Sequence, residues 1–394
     1  MSGSLNNIYN NVSYALLINT EAMTKLQEQV STGSRINRIS DDSTSAYKVL
    51  GLETEQRSLS NYINTITETM DSLEISSYIV QSMVSSISNV RTLLTQITSG
   101  TYNEVDRTTT AEGIDEILEE LLALANRKNN GQYLFGGSSS GSEPYLAERT
   151  DGKITSVTYH GSFKNRDVEV ADGMQTASLL VGEEVFCSND RGTSQFFGST
   201  GASEGSGTSS VKGDIWLTVT GSEGNWTLSI DGGLTTFSSD GTDTNLAVVN
   251  STNGQVLYVD TTQISQTGVE LVRTSGTHDL FDTLISIRDI LINDANFSES
   301  QIRELQETTL ASIEEISNLL VKTEVSLGMK INFLENLKNN LTDIQYNAED
   351  ESTRLQEADI AQITVDLARR EVLYQMSLSI AGTIMSVSLL DYID

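Results

Sequence analysis

The residues of this sequence that could do chemistry are few and poorly placed for it. Glu119-Glu120, Glu183-Glu184 and Glu314-Glu315 are adjacent carboxylate pairs of the kind a hydrolase could use as acid and base. Neighbours on a helix point in different directions, whereas a two-carboxylate site needs side chains that converge. Solvated helix faces account for most of these pairs. Asp231, Asp240 and Asp243 lie among glycines but lack the Asp-x-Asp/Asn-x-Asp/Asn-Gly spacing of a calcium loop, so they read as turn residues. Gly201-x-x-x-Gly205-x-Gly207 has neither the Lys-Ser/Thr pair nor the following helix of a phosphate loop. His160 and His278 are the only histidines, far apart in sequence, and each reads as a structural polar residue. Cys187, the single cysteine, follows Phe186 in a strand-like run and reads as a small buried hydrophobe. One cysteine excludes an intramolecular disulfide and a Cys-rich zinc site. The expectation is a non-enzyme with no catalytic residue, metal ligand or cofactor site.

What the sequence does specify is long elements. Of 394 residues, 54 are acidic and 24 basic, a net charge of −30 that repels nucleic acid and anionic membranes alike. No window reaches the ~18 apolar residues of a membrane span. Pro144 is the only proline, where average usage of about 5% predicts roughly twenty, so helices can run uninterrupted. Residues 43–98 carry a heptad stripe through Val49, Leu52, Gln56, Leu59, Ile63, Ile66, Met70, Leu73, Val80, Val84, Ile87 and Leu94, joined by Ile79, Met83, Val90, Leu93 and Ile97. At ~1.5 Å per residue this predicts a rod of roughly 80 Å, started by Asp41-Asp42-Ser43 and stopped at Gly100. Ile114, Ile117, Leu118, Leu121, Leu122 and Leu124 predict a second helix ending near Asn129-Asn130-Gly131.

From Pro144 to about Arg273 the texture changes to short alternating runs. Residues 154–160, 166–170, 214–219, 226–230 and 255–259 read as strands; Asp151-Gly152, Asp231-Gly232-Gly233 and Asn253-Gly254 read as turns. Residues 192–210, of which 14 of 19 are Gly, Ser or Thr, read as a flexible loop or linker. Helical periodicity resumes at Leu280 and continues past the capping box Ser298-x-x-Gln301 to Ile344. A last segment from about Leu355 is apolar and rich in small residues. The fold class expected is mostly α with a β-rich insert: a long antiparallel, coiled-coil-like helical rod formed by both chain ends, with an outer β domain.

Three stretches carry a resemblance. Residues 26–42, with Ser31-Thr-Gly33, Arg35-Ile-Asn37 and Asp41-Asp42, resemble the N-terminal signature of bacterial flagellins and their hook-associated relatives. Glu357-Ala-Asp-Ile-Ala361, running into a small-residue helix, is similar to the C-terminal half of the same terminal domain. Gln132-Tyr-Leu-Phe-Gly-Gly-Ser138, Pro144-Tyr145, Gly152 and Tyr159-His-Gly-Ser162 resemble the lead-in to the outer domain in the hook-filament junction branch of this family. Residues 276–284 and 388–393 are similar to that branch rather than to filament flagellin.

The resemblance implies three layers: an inner helical domain (1–40 with 355–394), a helical rod (41–137 with 276–354) and an outer β-rich insert (138–275). Their net charges are −3, −17 and −10, so the ends that self-association would bury are the least charged. It implies a structural part of the flagellum, a ring of identical subunits joining hook to filament. Its partners would be hook-associated protein 1, the flagellin filament and a cytoplasmic export chaperone, with no nucleic acid and no membrane. No Sec-type signal is visible after Met1, and the resemblance implies type III flagellar export to the cell exterior instead. The alternative is a filament-forming flagellin. Assembly contacts fall on Arg35, Asn37, Asp41 and Asp42, with Arg35 pairing to an acidic rod of a neighbour and Asp41 capping the long helix. Equally open is that all four only build the local turn. Leu389, Leu390 and Tyr392 would dock on the inner helices, on the chaperone or on their own subunit.

Overall fold

A computed structural model describes the backbone of residues 2–99, 104–293 and 297–393; side chains are described from residue 7, except at 8, 9, 98–103, 294–296, 299, 300, 307 and 384–394. The chain forms two compact units, residues 1–64 with 337–394 and residues 65–336. α1 (Ser2–Thr32), the start of α2 (Ser43–Ser99), the end of α6 (Glu299–Gln356) and α7 (Ile360–Ile393) belong to the first. There α1 packs along α7.

The long helices follow from the stripe and from the missing proline. α2 and α6 have 57 and 58 residues, about 85 Å each at ~1.5 Å per residue. Ile66, Leu73, Val80, Ile87 and Leu94 recur every seventh position and are buried, as are Ile313, Leu320, Leu327, Leu334 and Leu341 on α6. A strict seven-residue repeat keeps one face of each helix buried over 66–94 and 313–341. Ser298 and Gln301 form the predicted box, with the Ser298 N–H donating to Gln301 Oε1 at 3.0 Å and the Gln301 N–H to Ser298 Oγ at 3.4 Å. Gly100, the expected stop of α2, lies outside the described residues.

The second unit holds α3 (Glu104–Ala125), α5 (Leu280–Ile292) and the β region. The strands are β1 (Lys128–Asn129), β2 (Gln132–Tyr133), β3 (Tyr145–Thr150), β4 (Lys153–Tyr159), β5 (Arg166–Ala171), β6 (Met174–Leu179), β7 (Ser194–Phe197), β8 (Ser203–Glu204), β9 (Gly213–Ser222), β10 (Asn225–Ser229), β11 (Phe237–Ser239), β12 (Leu246–Val249), β13 (Val256–Asp260) and β14 (Gly268–Thr274); the short helix α4 is Gly182–Phe186. A five-stranded antiparallel sheet of order β11-β10-β9-β14-β7 and a three-stranded one of order β12-β13-β8 share a core of Leu217, Val219, Trp226, Leu228, Leu257 and Val272. Strand alternation then decides the other face. Leu271, next to Val272, packs with Ile290, Phe297, Ile302 and Leu305 of the helical side.

Every predicted strand is present, and three local expectations are corrected. α3 ends at Ala125, and Asn129 to Gln132 make a tight β1-β2 hairpin whose Asn130 and Gly131 both take positive φ, 48° and 79°. That Asn-Gly pair is a hairpin turn, which the helix stripe before it masked. Residues 192–210 form no loose linker: they contain β7 and β8, and Ser194, Thr200, Ala202 and Ser209 are buried. The Glu270 carboxylate holds this segment, accepting from the Thr200 N–H at 2.8 Å and hydroxyl at 2.6 Å. Cys187 caps α4 rather than continuing a strand; it is buried and donates to Asp279 Oδ2 at 2.8 Å.

Candidate assembly site

The 33–42 turn is built from three hydrogen-bonding devices, all within the first unit. Gly33, at φ +70°, ends α1 in the left-handed conformation that a side chain at that position would strain, and its N–H donates to Gln29 O at 2.9 Å. The chain then docks on the end of α6: the Arg35 N–H donates to Gln356 O at 2.7 Å, the Ala358 N–H to Gly33 O at 3.1 Å, and the Arg35 guanidinium to Leu355 O at 3.1 Å. Two segments some 320 residues apart in sequence thus share backbone bonds, as the isolated bridge Ser34 to Glu357 also records.

The acidic pair divides its work differently from the expectation. Asp42, not Asp41, caps α2, because its Oδ1 accepts from the Ser45 N–H at 3.1 Å and its Oδ2 from the Ser45 hydroxyl at 2.7 Å. Arg35 adds an ion pair to the same carboxylate at 3.2 Å. The Ser45 hydroxyl and N–H, with Arg35 behind them, lower the Asp42 carboxyl to about 2. Asp41 sits one residue too early to cap; it ties the loop together, accepting from the N–H groups of Asn37 and Arg38 at 3.2 and 2.9 Å and pairing with Lys25 at 3.0 Å. Its carboxyl is lowered as well, first through Lys25. Asn37 donates to Ser34 O at 3.2 Å. The structure therefore brings Arg35, Asn37, Asp41 and Asp42 together in one network. Beside it an apolar depression of about 440 Å³ is lined by Ile36, Ile39, Tyr47, Val49 and Leu50, of which Ile39 and Tyr47 are among the most exposed large apolar residues described. Leu389, Leu390 and Tyr392 fall in α7, and their side chains lie outside the described residues.

The candidate chemical groups hold structure. Glu119 takes a bidentate bond from Arg149 at 2.8 and 3.0 Å, and Glu183 pairs with Lys212 at 3.0 Å. Glu315 is no solvated-face residue: it accepts from the N–H groups of Gly276 and His278 at 2.9 and 3.3 Å. His278 is buried between Thr283 and Ser312, each 3.3 Å from a ring nitrogen; burial lowers its pKa against the pull of Asp214 and Glu315. Asp231 collects Ser229, Thr235 and Ser251 as a turn hub. Among the described residues no group of three or more His, Cys, Asp or Glu is placed to hold a metal. No described helix is long and apolar enough to cross a membrane.

Two buried ion clusters escaped the sequence reading. Arg273 on β14 pairs with Asp214 on β9, Nε to Oδ1 at 2.7 Å, and the Ser286 hydroxyl of α5 donates to Asp214 Oδ2 at 2.8 Å. Arg288 on α5 reaches Asp115 on α3 and the Ile154 carbonyl on β4, both at 2.6 Å. Isolated charges inside strand or helix patterns were the only available signal.

Residues 4–140 match the model of the bacterial flagellin N-terminal helical region. The chain's curated relatives include both hook-associated proteins and filament flagellins. Over 126 residues it is 29% identical to flagellar hook-associated protein 3 of Escherichia coli K12, covering 32% of this chain and 40% of that protein. Over 163 residues it is 27% identical to flagellar hook-associated protein 3 of Salmonella typhimurium LT2, covering 41% and 49%. The matched stretch thus spans less than half the length of these relatives. The crystal structure of hook-associated protein 3 from Legionella pneumophila shares the fold: the TM-score is 0.52 at 20% identity, covering 77% of this chain and 98% of that one. The resemblance to the flagellin superfamily, with hook-associated proteins among its relatives, therefore holds.

Proposed function

We propose that this flagellin-type chain is a structural, non-enzymatic component of the bacterial flagellum that joins hook to filament as a ring of identical subunits. The observation that carries the self-assembly is the terminal helix pair. α1 and α7 pack on each other yet leave Tyr14, Leu17, Val365, Val372 and Met376 more than half exposed. Such apolar faces mark surfaces covered in an assembly. On this reading 1–40 with 355–394 form the inner layer, 41–137 with 276–354 the rod and 138–275 the outward projection. The neighbours are hook-associated protein 1 on one side and the flagellin filament on the other. The chain reaches the cell exterior by flagellar type III export, escorted by a chaperone, and Leu389, Leu390 and Tyr392 dock on the inner helices, on that chaperone or on their own subunit.

A null mutant tests it. Hooks that shed flagellin into the medium are the expected result; hooks bearing normal filaments would overturn the junction role. The second reading, a filament-forming flagellin, is favoured by the family model itself, and it predicts instead that the purified chain polymerises alone into long filaments.

A further inference from the structure

α1 and α7 run antiparallel away from a shared hinge. Just past the end of α1, the Gly33 carbonyl accepts from the Ala358 N–H at 3.1 Å, and α7 begins at Ile360. Among the described residues of α1 the two buried ones, Asn19 and Gln29, are both polar. Gln29 belongs to the hinge, its Nε2 donating to Arg35 O at 2.7 Å. Asn19 lies within the helix pair itself, and its Oδ1 accepts from the Arg370 guanidinium of α7 at 3.1 Å.

This bond sits mid-seam. Val12, Leu16, Asn19, Met23 and Leu26 follow one another at steps of four and three along α1, as do Ile363, Leu367, Arg370, Tyr374 and Ser377 along α7, and each of them is buried or half-buried. Apolar contacts are non-directional, so two helices joined by them alone can turn about their own axes at little cost. The bond from Arg370 to Asn19 is directional, and one polar residue in an apolar stripe is what fixes alignment in coiled coils. Arg369 next to it is exposed, so of two adjacent arginines it is the one opposite Asn19 that turns inward.

The far faces of the same helices carry the exposed apolar residues. At about 100° per residue, Tyr14 and Leu17 lie about 140–160° around α1 from Asn19, and Val365, Val372 and Met376 about 120–160° around α7 from Arg370. Resting on the self-association proposed above, we infer that the Asn19–Arg370 bond is a positioning pin: it sets the rotation of α1 against α7, and so the apolar face that each helix turns toward the next subunit.

The test reads rotation through disulfide formation. Val12 and Ser377 lie one heptad beyond Asn19 and Arg370 on the same two faces, whereas Ser13 is turned about 100° from Val12 and is exposed. Full-length chains carrying Val12→Cys with Ser377→Cys, or Ser13→Cys with Ser377→Cys, are oxidised with copper phenanthroline, both as purified protein and in purified flagella. An internal disulfide shifts the band on a denaturing gel. Cys187 is buried, and the wild-type chain controls for it. The Val12→Cys pair should close at least about tenfold faster than the Ser13→Cys pair, the factor that a hydrogen bond to a charged group supplies. Asn19→Leu with Arg370→Leu should bring that ratio close to one and cut incorporation into flagella without loss of thermal stability, since apolar replacement of a buried polar pair is often neutral. Asn19→Asp, which keeps the acceptor oxygen, and Arg369→Leu, which removes only the exposed neighbour, should preserve both ratio and incorporation. A ratio near one in the native background, or a ratio that the double leucine variant leaves unchanged, overturns the pin. A lost ratio with incorporation intact overturns its assembly role. The two readings fail separately: a null mutant with normal filaments removes the junction role and leaves the disulfide ratio as measured.

Discussion

Replacing Arg273 with methionine removes a buried guanidinium of which only 6% of the side chain is exposed, and leaves the Asp214 carboxylate, 1% exposed, with the Ser286 hydroxyl as its remaining partner. Breaking a buried pair from one side costs about 3–5 kcal/mol, because the surviving charge keeps its desolvation cost and loses its compensation. The double variant Arg273→Met with Asp214→Leu removes both charges. Buried pairs replaced by apolar residues of similar volume are often neutral, so only the lost Ser286 bond remains, about 1 kcal/mol. Adding Asp214→Leu to Arg273→Met should therefore recover about 2–4 kcal/mol. Denaturant unfolding followed by tryptophan fluorescence reads this cleanly, because the two tryptophans, Trp216 on β9 and Trp226 on β10, both sit in the sheet that Arg273 crosses. The effect must also depend on pH with a fixed sign. Burial works against the charged Asp214, Arg273 more than offsets it, and its pKa lies below 3.8 in the folded chain. The pair therefore stabilises above about pH 3.8 and loses that contribution as acid protonates the carboxylate. Without Arg273, burial outweighs the remaining Ser286 bond and the defect of the single variant shrinks on acidification. A single variant within about 1 kcal/mol of wild type, or a double variant no better than the single, would refute the reasoning.

Other outcomes follow from the same structure. Asp42→Ala should speed amide exchange at Ser45 and Ala46, while Asp42→Asn, which keeps a capping oxygen, should do so far less; with the Asp42 carboxyl lowered to about 2, the wild-type cap should persist from neutral pH down to about 4 and be lost between there and about 2. Burial holds His278 below its usual pKa of 6.5, so the folded chain should lose stability as pH falls through 6.5; His278→Gln should flatten that slope in unfolding midpoints measured from pH 7 to 5. In the free monomer, residues 1–40 and 355–394 should exchange faster than the rod, since among the described residues of α1 and α7 only Asn19, Gln29 and Ile363 are buried; protection equal to that of Ile66 or Leu73 would contradict this.

The elements were legible where a repeat was long. The seven-residue spacing of Ile66 to Leu94 and of Ile313 to Leu341 is written in the sequence, and nothing local competes with it. The 192–210 tract shows the opposite. Its composition is that of a linker, yet Gly201 at φ +92° lies so close to the Gln263 backbone that no side chain would fit there, and Glu270 pins Thr200 from 70 residues away. Gly and Ser served close packing there, and no local pattern distinguishes that use from flexibility.

The assembly turn divides along the same line. Arg35, Asn37, Asp41 and Asp42 were identifiable from residue type and from a resemblance that the match over residues 4–140 upholds. Their roles were not, because capping depends on which carboxylate lies one position before the first helical residue, a matter of one residue in the chain path. The sequence by itself determined the long helices, the β-rich middle and the acidic charge, all of which follow from composition and period. Only the tertiary structure decided that Arg35 bonds the end of α6, that Arg273 meets Asp214 and Arg288 meets Asp115, and that Arg370 rather than Arg369 turns toward Asn19. Each of those depends on where distant segments meet, and periodicity carries no information about that.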